Sequence, residues 1–232
     1  MAHLVWDWNG TLLDDTALVV AATNATLAGL GGVAISVDDH RRGFARPVAD
    51  YYARLLGRPV TPDEFALLDE AFHAAYRGGL DGAVLAADAR AAMRAWGGTQ
   101  SLLSMFFHDD LVALVRRHGL EPWLARVDGL RDHVGGGPKA PHLAAHLAAL
   151  GVAPGDAVLV GDTVDDADAA RAVGARVVLY TGGITDEPRL RATGAPLAGS
   201  LLEAVALAGA LRAPQSARVP TGPAGAFAAP EG

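Results

Sequence analysis

Hydrophobic and polar positions alternate differently in two parts of the chain. Leu4-Val5-Trp6-Asp7-Trp8 reads as a short apolar strand running into a polar loop, Asn9-Gly10-Thr11. Asp15-Thr16 then offers an N-cap for an alanine-rich helix over roughly 16–30, closed by Gly31-Gly32. Three further helices are predicted. One spans 46–56, with Pro47 in its first turn. The second starts at Thr61-Pro62-Asp63-Glu64 and runs to about 77, and the third spans 83–96 and stops at Gly97-Gly98. No strand pattern appears between about 14 and 96.

From residue 97 the pattern changes. Strands are predicted at 99–104, 126–130, 157–160 and 176–180, and helices at 108–118, 140–150, 164–173 and roughly 200–211. The 157–160 strand is apolar at every position, so both its faces should be covered. Strand–helix alternation implies right-handed crossovers and a parallel sheet. The expected fold class is α/β: a three-layer αβα, Rossmann-like core built from 1–13 and 97–212, with an all-helical segment, 14–96, inserted after the first strand. Residues 213–232 are rich in Pro, Ala and Gly without periodicity, and a disordered tail is predicted there.

Composition narrows the class. The 232 residues are 51% hydrophobic and 19% charged, which suits a globular chain of one or two domains. No apolar run reaches about 18 residues and no signal-like leader is seen, so no membrane span and a cytoplasmic location are expected. The absence of cysteine removes disulfides, thiolate metal sites and thiol nucleophiles. With a net charge of −7 and no basic stripe, nucleic acid is not an expected partner. Lys139 is the only lysine among 19 cationic side chains.

In an open parallel sheet, ligands bind at the carboxyl ends of the strands. Strand one ends in Asp7, strand two in Ser104, and Lys139 precedes a helix. The 157–160 strand runs into Gly161-Asp162-Thr163-Val164-Asp165-Asp166. Carboxylates at Asp7, Asp162 and Asp166 suit Mg²⁺, which takes a few carboxylates, waters and a substrate phosphate. Lysine and serine on the same rim can hold a phosphoryl group.

This set, in this order, resembles the haloacid dehalogenase superfamily: Asp7-Trp8-Asn9-Gly10-Thr11, then Ser104, Lys139, and the Asp162…Asp166 pair. The resemblance covers about 1–212, and the insertion matches the cap of the phosphoglycolate phosphatase-like branch. It implies a Mg²⁺-dependent phosphatase acting on a small phosphorylated metabolite, in which Asp7 attacks phosphorus and forms an aspartyl phosphate. Mg²⁺ would be held by Asp7, the Asn9 carbonyl, Asp162 and Asp166. Trp8, Ser104, Met105 and Lys139 would bind the phosphoryl group, and Thr11 would support the loop. Catalytic roles fall to Asp7, Asn9 and Lys139. A monomer or a homodimer is expected.

One departure stands out. Members of this branch carry Asp two residues after the nucleophile as general acid and base; here it is Asn9. A positioned acid–base contributes roughly 10²–10⁴-fold. Three readings follow. Asn9 orients while water or another group, with Asp14, Asp15 and His108 nearby, carries the proton. Alternatively, the chain is a degenerate member that binds a phosphorylated ligand with little turnover. Or Asn9-Gly10 deamidates to restore a carboxylate. The phosphonoacetaldehyde-cleaving branch needs a cap lysine, and 14–96 contains none. The dehalogenase branch does not assemble the same metal and phosphate site. His142 and His146 lack the glutamate of a zinc-protease helix and are read as packing or surface residues. Trp8 is expected to face the cap, and Arg46 to be solvated.

Overall fold

The computed structural model describes residues 2–131 and 137–211. The predicted 213–232 tail lies outside the described residues. Six parallel strands form one sheet: β1 (His3–Trp6), β4 (Gln100–Phe107), β5 (Val127–Leu130), β6 (Ala157–Gly161), β7 (Arg176–Tyr180) and β8 (Leu197–Ala198). Their spatial order is β5-β4-β1-β6-β7-β8. β1 therefore sits in the middle, with register pairs Val5–Ser101 on one side and Val5–Leu159 on the other. The chain first builds outward on the β4 side and then on the β6 side. The crevice of such a sheet opens where the order reverses, which is at the end of β1.

Burial follows the sequence pattern. All four residues of β1 and all five of β6 are buried. His3 is tolerated inside because its ring nitrogens meet Thr99 Oγ1 (2.8 Å) and Ser101 Oγ (2.7 Å). Helices α6 (His108–Arg117), α7 (Ala140–Leu150), α8 (Val164–Val173) and α10 (Leu201–Ala210) cover the sheet, with α5 (Ala89–Ala95) packed on α10. One apolar cluster joins β1 and β4 to α5, α6 and α10; a second joins Val5 and Leu159 to α7 and α8. The sheet is thus covered on both faces, as the α/β reading expects.

Between β1 and α5 the chain forms α1 (Thr16–Ala28), α2 (Val37–Gly43), α3 (Val48–Leu56) and α4 (Pro62–Gly79). α1 packs along α4, and Leu27, Tyr52 and Leu68 make a separate small core. Several local expectations need correction here. The predicted 83–96 helix is shorter: a 3₁₀ turn, Leu80–Gly82, and a two-residue strand, β3 (Val84–Leu85), precede α5. β3 pairs antiparallel with β2 (Leu13–Asp14), so a strand pair does exist where none was expected. Two residues are too few to show periodicity. α2 was not anticipated; Ser36 and Asp39 form a capping box at its start. The strand at 99–104 runs on to Phe107, past a register shift between Leu103 and Phe107, so Ser104 lies within β4 rather than at its end. α9 (Glu187–Ala192) and β8 are further short elements beyond the predicted set. Among the described residues, no helix is long and apolar enough to cross a membrane.

Candidate active site

Asp7 leaves β1 with its main-chain N–H donating to Val160 O (2.8 Å), which ties the end of β1 to the end of β6. The loop then turns at Gly10, whose φ of +69° favours glycine. A Cβ there would stand 2.4 Å from Asp162 Oδ2, so glycine is required by space as well. Thr11 Oγ1 donates to Asp162 Oδ1 (2.8 Å) and Ile184 N to Asp162 Oδ2 (2.6 Å). Thr11 thus fixes a carboxylate 151 residues away in sequence.

Asp166 is held by the start of its own helix. Thr163 caps α8, and Asp166 closes the box through Oδ2, which accepts Thr163 N (3.0 Å), Thr163 Oγ1 (2.6 Å) and Asp162 N (3.2 Å). Asp162 is not the cap. The ligand oxygens of Asp7, Asp162 and Asp166 lie within 4.8 Å of one another, and all three residues are buried. Lys139 Nζ stands 2.8 Å from Asp7 Oδ1 and also meets Asp166 Oδ1. Its own N–H donates to Asp165 at the start of α8 (3.1 Å).

Burial raises the Asp7 carboxyl to about 6; Lys139 pulls against this and Asp166 adds to it. Asp162 is raised well above the usual carboxylate range by burial and by the Asp7 and Asp166 charges. Burial alone would lower the Lys139 ammonium, but Asp166 and Asp7 reverse the direction and raise it. Three buried carboxylates thus share one ammonium, and the remaining negative charge is what a hard divalent cation neutralises. The donor set fits Mg²⁺.

Asn9 is held by a network that the sequence did not reveal. Its Nδ2 donates to Asp15 Oδ2 (2.7 Å) and to Tyr76 Oη (2.7 Å) of α4. The Tyr76 hydroxyl donates to the same Asp15 oxygen (2.5 Å), and Gly10 N donates to Asp15 Oδ1 (2.7 Å). Asp15 is buried, and burial raises its carboxyl despite the three donations it receives from Asn9, Tyr76 and Gly10. Asp15 occupies the N-cap position of α1, but its side chain makes no cap bond. With both amide hydrogens taken, Asn9 presents Oδ1, which accepts from Ser104 Oγ (3.3 Å). Neither amide hydrogen is therefore free to donate to a leaving oxygen. The deamidation reading also loses support. It requires Gly10 N to attack the Asn9 amide, and that N–H is committed to Asp15.

A cavity of about 40 Å³ is lined by Asp7, Asn9, Ser104, Met105 and Lys139, with Arg46 at its side. Arg46 is not solvated: its Nε lies 3.4 Å from Asp165 and its guanidinium donates to Gly137 O (3.3 Å). Trp8 departs from expectation. Its indole is fully buried with Leu12, Leu13 and Leu80 and lines neither this cavity nor its neighbour; only its main-chain N–H reaches the Asp7 carboxylate. His108 is turned to β5, where Nδ1 accepts Gly129 N (3.2 Å). Asp14 is exposed on β2. His146 is a packing residue, bonded to Asp128 and Ser101 at 2.7 Å each.

This geometry agrees with sequence comparison. Residues 1–174 match the haloacid dehalogenase-like hydrolase family. The chain belongs to that family. This hydrolase is 28% identical over 198 residues to a phosphoglycolate phosphatase of Caulobacter vibrioides, covering 81% of this chain and 82% of that one. Its fold is shared by a haloacid dehalogenase-like protein of Streptococcus pneumoniae, with TM-score 0.77 and 18% identity over 89% of this chain and 98% of the other. A predicted phosphoglycolate phosphatase of Haemophilus somnus gives TM-score 0.69 and 17% identity, over 89% and 97%.

Proposed function

We propose that this hydrolase is a Mg²⁺-dependent phosphatase acting on a small phosphate monoester through an aspartyl phosphate on Asp7. The observation that carries this reading is the placement of Asp7: a buried carboxylate beside a lysine, at the mouth of a small cavity and among two further carboxylates. The name of the Caulobacter relative agrees with a small phosphomonoester substrate.

Asp7 and Lys139 would act together. The ammonium holds the Asp7 carboxylate in place and faces the cavity where phosphoryl oxygens would sit. The Asp7 oxygen attacks phosphorus, the bond from phosphorus to the ester oxygen breaks, and that oxygen leaves with a proton from water. A second water then cleaves the aspartyl phosphate, which releases phosphate and restores Asp7. Asp7, Asp162, Asp166 and the Asn9 carbonyl would hold Mg²⁺, whose charge offsets that of the nucleophile and phosphate. Ser104 and Met105 line the same cavity and would contact the phosphoryl group. Asn9 Oδ1 can accept a hydrogen bond from the attacking water but cannot take its proton. Helices α1–α4 act as the cap.

The test is phosphate release from a panel of small phosphomonoesters, with and without Mg²⁺, for the parent and Asp7→Asn. Mg²⁺-dependent release that disappears in the variant supports the proposal. Equal release by the two proteins, or none by either, overturns it in favour of a protein that binds without cutting.

A further inference from the structure

A second cavity, of about 110 Å³, opens beside the first. Asn9, Phe44, Arg46, Met105 and Ile184 line both, so the two are neighbouring compartments of one site. Whatever alcohol the phosphoryl group is attached to would project into this larger space.

Its walls are mostly aromatic and aliphatic. Phe44 stacks on His40 with centroids 5.0 Å apart and meets the edge of Tyr51. Phe72 stacks on Tyr76 at 5.8 Å. Two of its polar wall residues are short of partners. His40 is 1% exposed and its Nδ1 pairs with Tyr51 Oη (2.9 Å), yet its Nε2 has no hydrogen-bond partner among the described residues. His73 is 9% exposed and its Nδ1 is likewise unpartnered. Both nitrogens are covered by protein atoms, so neither adds polar surface to the cavity wall. Burial, with Arg189 and Arg41 nearby, lowers His40 to about 4, so its ring is neutral at pH 7.

An anion would find little welcome here. Among the described residues, Arg46 is the one arginine lining the cavity, and it faces Asp165 and Gly137 O. Asp69 contributes a carboxylate to the wall, 3.6 Å from His73 Nε2. Size also constrains the occupant: about 110 Å³ is less than the roughly 150 Å³ of an apolar cavity that admits benzene, so one small ring is the upper limit.

We infer that the site takes phosphomonoesters whose alcohol is uncharged and largely apolar, no larger than benzyl, in preference to small anionic alcohols such as glycolate. This rests on the phosphatase reading above and names the substrate class of that site. Phe44, Tyr51 and Phe72 supply the apolar walls.

The test compares kcat/KM of the parent protein with Mg²⁺ for benzyl phosphate, ethyl phosphate and 2-phosphoglycolate. All three release primary alcohols, so the bound group rather than leaving-group activation is compared. Benzyl phosphate should exceed both others by about 10-fold or more, the gain expected from burying a ring. A second arm uses Val48→Trp, at the cavity wall, which should narrow the benzyl-to-ethyl ratio. Equal or better turnover of 2-phosphoglycolate or ethyl phosphate overturns the inference while leaving the phosphatase reading intact. No Mg²⁺-dependent release from any of the three, or from the wider panel, removes the phosphatase reading itself.

Discussion

On the core side of the site, Asp7, Asp162, Asp166 and Lys139 hold one another and are braced by Thr11, Thr163 and Ile184. On the side of α1–α4, which the proposed reading takes as the cap, aromatic rings stack in pairs and two imidazole nitrogens have no partner among the described residues. The core wall needs fixed charge, because preorganised groups cost no reorganisation when charge shifts during reaction. The cap wall needs shape. Asn9 stands where the two walls meet, with Ser104 on one side and Tyr76 of α4 on the other.

The sharpest break falls on the core wall. Asp7→Asn keeps the size of the side chain and removes the nucleophile, so phosphate release should fall by roughly 10⁴-fold or more. Substitutions on the cap wall should instead change the ranking of substrates. If Asp7→Asn altered only that ranking, the division of labour between the walls would be wrong.

The cap wall has its own pH signature. His40 titrates near 4 when folded and near 6.5 when unfolded. Between these values the unfolded chain binds more protons, so stability rises with pH across the window. The contribution of His40 is complete above about pH 6.5 and is lost as pH falls towards 4, with a ceiling of about 3 kcal/mol. His40→Gln does not titrate. Its unfolding free energy, measured in urea from pH 7 to 4, should decline less steeply than the parent's, and parallel slopes would contradict the assignment.

A third prediction sits at the junction. Restoring the familiar carboxylate by Asn9→Asp places it 2.7 Å from Asp15 Oδ2, where both cannot ionise freely. The single variant should lose about 2 kcal/mol of stability. Asn9→Asp combined with Asp15→Asn exchanges the two groups and keeps one amide facing one carboxylate. The pair should recover most of the loss in urea unfolding, and a simple sum of two losses would show that the contact is not energetic.

Most of the core wall was legible because each of its residues follows a pattern that local sequence carries. Asp7 and Asp162 come at the ends of apolar runs, and Asp166 lies four residues beyond Asp162 in a helix start. The αβ alternation put them on one rim. The junction was not legible. Asp15 and Asn9 are six residues apart and Tyr76 is 67 away from Asn9, and no periodicity links them. The Asp15-Thr16 pair looked like a helix cap, and the same carboxylate was used by the Gly10 loop instead. Trp8 does not face the cap as expected; it lies two residues after Trp6 and shares that residue's core cluster. The chain turns there, with Thr11 and Leu13 N–H groups returning to Trp8 O, and the indole folds into the core. For α2, the Ser36…Asp39 capping signal was present, but seven residues give little amphipathic pattern to support it.

The smallest expected effect tests whether cap and core are joined through Asn9. The Tyr76 ring packs beside Phe72 and Phe106, so Tyr76→Phe keeps the apolar contacts and removes only the hydroxyl. That hydroxyl accepts one Asn9 hydrogen and donates to Asp15, so its loss leaves one amide hydrogen unpartnered and the carboxylate with one donor fewer. The cost should be about 1 kcal/mol in urea unfolding. Asn9 and Tyr76 both line the larger cavity, so the amide regains a free donor beside the space proposed for the ester. The variant should therefore lose stability while its KM for benzyl phosphate stays level or falls. A KM that rises with no change in stability would mean that the hydroxyl serves the substrate directly and that Asn9 is held by Asp15 alone.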